Sequence, residues 1–104
     1  MSAIKLTKDN FNSEVINSGK TWMVDFWASW CGPCRMLTPT IETIASEDHS
    51  ELKVGKINVD EQPELAMKYG VMSIPTVVII KDGKEKARSV GVKGKHELLA
   101  MTKV

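Results

Sequence analysis

Both cysteines of the chain fall in one pentapeptide, Trp30-Cys31-Gly32-Pro33-Cys34, and its placement limits the fold more than any other feature. Ahead of it Trp22-Met23-Val24-Asp25-Phe26-Trp27 is bulky and apolar enough for a buried strand, and behind it Met36 to Ala45 carries apolar residues at helical spacing. The dithiol therefore sits where a strand gives way to a helix. If the helix begins at Cys31 or Gly32, the cysteines lie three apart on its first turn, on one face and close enough for a disulfide. The first sulfur also meets the helix's unpaired N–H groups and positive dipole end, which favour a thiolate. Only the thiolate attacks disulfides, so Cys31 is a candidate nucleophile, and Cys34, further into the helix, should be more buried. Spacing alone leaves alternatives open, since Cys-x-x-Cys is also half of a zinc site or a structural staple. A staple closing about four residues constrains the unfolded chain by only about 2 kcal/mol. Zinc would need two further ligands, and His49 and His96, 47 residues apart, lack any metal-ligand spacing.

The 104 residues are read as one domain, 1–104, with 42% hydrophobic and 26% charged residues, so a continuous core has to carry the fold. The formal charge of +1, with no basic run, argues against nucleic acid as a partner. No apolar run approaches the roughly 20 residues that span a bilayer, and the polar amino end shows no signal peptide, so the expectation is a soluble, cytoplasmic protein without membrane contact. In a reducing cytosol a dithiol is more often catalytic or metal-binding than structural.

Taken in order, the pattern predicts a strand at Ile4–Leu6, a helix at Lys8–Ile16 with Thr7 as N-cap, and the central strand at Thr21–Trp27. The helix after the cysteines contains Pro39, which should kink it. A strand follows at Leu52–Val59, then a short helix at Glu64–Tyr69, a strand at Thr76–Ile80, a turn at Lys81-Asp82-Gly83, a returning strand at Glu85–Val90 and a last helix at Lys95–Lys103. Strands alternating with helices argue for a parallel sheet, and the late hairpin adds an antiparallel pair.

Trp-Cys-Gly-Pro-Cys after a strand carrying Asp25, together with Ile74-Pro75-Thr76 downstream, resembles the thioredoxin family, and the resemblance runs essentially end to end. Gly32-Pro33 between the cysteines is similar to the reducing branch rather than to disulfide isomerases or glutaredoxins. A lowered thiol pKa and a reducing potential are known properties of that family, not consequences read from this sequence. The resemblance implies an α/β thioredoxin fold, a central mixed sheet of parallel strands plus a C-terminal antiparallel hairpin, flanked by four helices in the order β-α-β-α-β-α-β-β-α. It implies a monomer acting as a protein-disulfide reductase through a redox-active Cys31–Cys34 disulfide. No cofactor would be bound, and electrons would come from NADPH through a separate thioredoxin reductase.

The candidate catalytic residues are Cys31, Cys34, Asp25 and Lys56. Asp25 is the one acid in an apolar strand, and its expected partner is Lys56 in the middle of the next parallel strand. In the family the matching Asp takes the proton of the second cysteine through water. Burial should raise its pKa towards that of a general base while Lys56 opposes the shift, although a structural ion pair is the alternative reading. Pro75 is implied to be cis, leaving the preceding backbone free to pair with an extended substrate. Trp30, Gly32, Pro33, Met72, Ile74, Val90 and Gly91 would form a flat apolar contact face around it. Met72-Ser73, Ile80 and Thr38 depart from the family's usual residues, and none is expected to touch the dithiol. The competing function is a binding module on the same fold with an incidental dithiol, which would have no need of Cys31, Cys34, Asp25 and Pro75 together.

Overall fold

In the computed structural model, which describes residues 2–104, the apolar run Thr21–Trp27 forms β2, the middle strand of a five-stranded sheet. The other strands are β1 (Ile4–Lys5), β3 (Leu52–Asn58), β4 (Thr76–Lys81) and β5 (Lys84–Val90), in the spatial order β1-β3-β2-β4-β5. β1, β3 and β2 run parallel, β4 lies antiparallel to β2, and β5 pairs antiparallel with β4. The mixed sheet expected from the element order is therefore the one found. The helices are α1 (Gly32–Ser46), α2 (Pro63–Lys68) and α3 (Lys95–Met101), with a π-helical turn at Asn12–Ile16 making the fourth helical element.

Period-two alternation divides β2 between the two faces of the sheet. Trp22, Val24 and Phe26 pack with Leu6, Phe11 and Val15 on one side. Met23 packs with Leu37, Ile41 and Leu98 on the other. Asp25 shares the parity of Met23 and so points towards the α1 side. β4, read as β-branched, is buried along Thr76–Ile80. Its hairpin closes through Asp82 and Gly83 at φ 54° and 75°, the left-handed pair that an Asp-Gly turn supplies.

The first helix departs from expectation. Thr7 is not its N-cap: residues 8–10 form a turn, braced by Thr7 Oγ1 accepting from the Asp9 N–H at 3.2 Å and by the Phe11 N–H donating to the Thr7 carbonyl at 2.9 Å, and the helical element starts only at Phe11, without a side-chain cap. Beyond Phe11 the ladder widens, with the Asn17 N–H bonded to the Asn12 carbonyl five residues back. The polar side chains there compete for the backbone: Asn10 Oδ1 accepts from the Thr7 N–H, Asn10 Nδ2 donates to the Lys5 carbonyl, and Ser13 Oγ donates to the Asn10 carbonyl. Regular helix loses ground, while Phe11 and Val15 still reach the core.

Candidate active site

The chain leaves β2 at Trp27 and turns through Ala28–Trp30, with the Cys31 N–H donating to the Ala28 carbonyl at 3.2 Å. Cys31 is the N-cap of α1, in extended conformation at φ −90° and ψ 111°. Gly32 and Pro33 take the first two helical positions, where the N–H that proline lacks would have had no partner inside the helix. The Cys34 N–H then points back and donates to Cys31 Sγ at 3.2 Å. The two cysteines are joined in a disulfide with their α-carbons 5.2 Å apart. Cys34 is slightly the more buried, at 1% exposure against 4%, and both sulfurs pack with Ala28.

Ile74–Pro75 is cis, as the resemblance implied, and the Ile74 carbonyl oxygen lies 3.8 Å from Cys31 Sγ. Neither the N–H nor the C=O of Ile74 enters a backbone–backbone hydrogen bond among the described residues. The segment is held from both ends instead. Thr76 Oγ1 donates to the Ser73 carbonyl at 2.6 Å, and the Gly91 N–H donates to the Pro75 carbonyl at 2.9 Å. Gly91 sits at φ 96°, a conformation that side chains disfavour.

A shallow cleft of about 480 Å³ opens on the disulfide between Trp30-Cys31-Gly32-Pro33 and Val71-Met72-Ser73-Ile74, with Val59 on its floor. Five of the seven expected contact residues thus line one cleft. Val90 and Gly91 do not; Val90 pairs with Thr76, so they flank the cis-proline at the next strand. Met72 is 94% exposed and Trp30 67%, unusual for side chains so apolar. Trp30 is nevertheless fixed, its Nε1 donating to Asp60 Oδ2 at 2.8 Å.

Some expectations need correction. Ser73 and Met72 line the cleft beside Cys31, and Thr38 Oγ1 donates to the Cys34 carbonyl at 3.0 Å, so these unusual residues do reach the dithiol's surroundings. Ile80 is wholly buried in the core. Lys56 stands opposite Asp25 in the β2–β3 register but makes no salt bridge to it; its Nζ lies 3.8 Å from Glu42 Oε2 on α1. Asp25, Trp27, Thr38, Glu42 and Lys56 instead surround a small cleft of about 90 Å³.

Asp25 is 4% exposed, and its Oδ1 has no hydrogen-bond partner among the described residues. Burial pushes its pKa up from 3.8 to about 7; Lys56 draws it down, and Glu42 adds to the rise. A carboxyl with that proton affinity exchanges a proton near neutral pH. Glu42, Asp60 and Val59 were not anticipated. A signal existed for Glu42, because Cys34, Thr38 and Glu42 are spaced four apart and share one stripe of α1. Asp60 carries no comparable mark in the sequence.

Among the described residues no group of three or more His, Cys, Asp and Glu side chains is arranged to hold a metal ion, and no helix is long and apolar enough to cross a membrane. The family model described as Thioredoxin matches residues 2–103. The chain is 48% identical over 98 residues to a thioredoxin of Mycobacterium bovis, covering 94% of this chain and 84% of that protein. It is 48% identical over 97 residues to a thioredoxin of Rickettsia bellii, covering 93% and 92% respectively. It is also 47% identical over 96 residues to a bifunctional thioredoxin reductase/thioredoxin of Mycobacterium leprae, covering 92% of this chain and 21% of that protein.

Proposed function

The chain belongs to the thioredoxin family, and from that premise we propose that Cys31 is its attacking thiolate, Cys34 its resolving thiol and Asp25 the base for Cys34. Family and disulfide together make it a thiol–disulfide oxidoreductase, a protein-disulfide reductase working by dithiol–disulfide exchange. The observation that carries the residue roles is the position of the disulfide, with Cys31 capping α1 and lining the cleft while Cys34 is not among the residues that line it.

In the reduced protein, Cys31 Sγ attacks one sulfur of a substrate disulfide, forming a mixed disulfide and releasing the first substrate thiolate. The Cys34 N–H and the positive end of α1 favour negative charge on Cys31 Sγ. Cys34 then gives its proton to the Asp25 carboxylate, directly or through water in the small cleft, and attacks Cys31 Sγ. The Cys31–Cys34 disulfide forms, the second substrate thiolate leaves, and two electrons have passed to the substrate. Lys56, beside Asp25 in register, moderates the proton affinity of that carboxyl without bonding to it.

The substrate segment lies extended along Ile74, using its free N–H and C=O, with Trp30, Gly32, Pro33 and Met72 as the apolar platform and Pro75, Val90 and Gly91 bracing its far side. Electrons return from NADPH through a separate thioredoxin reductase; the mycobacterial relative whose name joins reductase and thioredoxin supports that partnership. We read the chain as one domain, acting as a monomer in the cytoplasm.

Trapping tests the order of attack. Cys34→Ser should keep the first attack and lose the resolving thiol, so a mixed disulfide with a protein substrate accumulates on a non-reducing gel, while Cys31→Ser traps almost none. Equal trapping by both variants would overturn the order. Trapping by neither would favour a binding module with an incidental dithiol.

A further inference from the structure

The β2–β3 register sets Lys56 directly opposite Asp25, on the same face of the sheet, where an ion pair is the simplest outcome. The pair does not form. Lys56 Nζ leans to the Glu42 carboxylate, 3.8 Å away, and lies 6.0 Å over the Trp27 ring, while Asp25 Oδ1 is left without a partner. Glu42 is itself anchored: its Oε1 accepts from the Ala3 N–H at 2.8 Å, which leaves Oε2 aimed at Lys56. Glu42 and Lys56 are both only partly exposed, at 32% and 35% of their side chains, so solvent does not erase their interaction.

We propose that Glu42 is a positioning residue for the proton-transfer step, holding the Lys56 ammonium against the outer wall of the small cleft and off the Asp25 carboxyl. This rests on the reading of Asp25 as the base for Cys34. Released from Glu42, Lys56 could swing to the unpartnered Oδ1 and fix Asp25 as a permanent carboxylate, a weak base with no call for the Cys34 proton. The groups facing Asp25 are few. β3 supplies Lys56, α1 supplies Glu42 with the uncharged Thr38 and Ile41, and β4 supplies Val77, which carries no charge. Glu42 acts in one direction by both routes, because its own negative charge also favours the protonated form of Asp25.

The variant Glu42→Gln separates this role from simple support, since the amide oxygen still accepts from the Ala3 N–H. Two readouts are needed: the midpoint of Asp25 protonation by carbon-13 NMR of its carboxyl, and the pH profile of protein-disulfide reduction. The NMR midpoint should fall by about one pH unit, and the acid limb of the rate profile should move down with it. An unmoved NMR midpoint overturns the proposal. A moved midpoint with an unmoved rate profile overturns Asp25 as the base, and with it the part of Glu42 in proton transfer. In a Lys56→Met background the same Glu42→Gln change should shift the midpoint less than half as far; an equal shift would overturn the route through Lys56.

Discussion

Asp25 is the residue at which the sequence says most and the structure adds most. One acid inside Trp22–Trp27 is visible as an anomaly, and its burial and the direction of its pKa shift follow from that alone. Its freedom from Lys56 does not follow, because a strand register places residues opposite one another without saying where a long flexible side chain points. The consequence for stability has a definite sign. The native protein holds a proton on Asp25 between about pH 4 and pH 7 that the unfolded chain has released, so stability falls as pH rises through that window. The full cost, reached above pH 7, is about 4 kcal/mol on the scale of 1.36 kcal/mol per unit. Asp25→Asn should therefore raise unfolding free energy by about 2–4 kcal/mol at pH 8 and by almost nothing at pH 4, as denaturant titrations at both values would show. A gain of equal size at pH 4 would mean that the charge is not its source.

Among the elements, those with a single period were legible and those with competing local bonds were not. β2 and β4 are near-continuous apolar runs, and α1 carries a stripe from Cys34 through Leu37 and Ile41 to Ile44, so each appears within a residue or so of where the sequence puts it. The π-helical turn was hidden because nothing in the spacing of Phe11 and Val15 reveals that Asn10 and Ser13 will bond to nearby backbone. β3 conceals a different constraint at Gly55. A β-carbon there would sit 2.9 Å from Leu6 Cγ and 3.2 Å from the Trp22 ring, and both side chains are 1% exposed in the core. Neither can step aside into open space, so β1 could not lie as close to β3 as it does. Gly55→Ala should cost about 1–3 kcal/mol despite alanine's better fit to a strand, measurable as a lower denaturant midpoint with an unchanged slope. An unchanged midpoint would mean that Leu6 repacks freely.

At the scale of the whole molecule, the sheet brings together three segments far apart in sequence: the end of β2 with the start of α1, the cis-proline before β4, and the end of β5. Local pattern reading shows each segment but not their meeting, which is why the resemblance, and not periodicity, grouped Trp30, Ile74, Pro75 and Val90 beforehand. The assembled surface is shallow and apolar, and its disulfide is nearly flush with it, a shape suited to an extended chain lying across the site. If docking rather than sulfur chemistry depends on the platform, substrates of different size should respond differently to its edge. Met72 is the test position, being 94% exposed and outside the hydrogen-bonded support of the cis-proline. Placing a charge there by Met72→Asp should lower kcat/KM for a protein disulfide by about fivefold, the loss of roughly 1 kcal/mol of apolar contact. The same variant should reduce a small aryl disulfide at nearly the wild-type rate, because that substrate meets the Cys31 sulfur without spanning the cleft. A matching loss for both substrates would show that Met72 acts on the reactivity of the dithiol, and the platform would no longer be needed to explain how the protein engages its substrates.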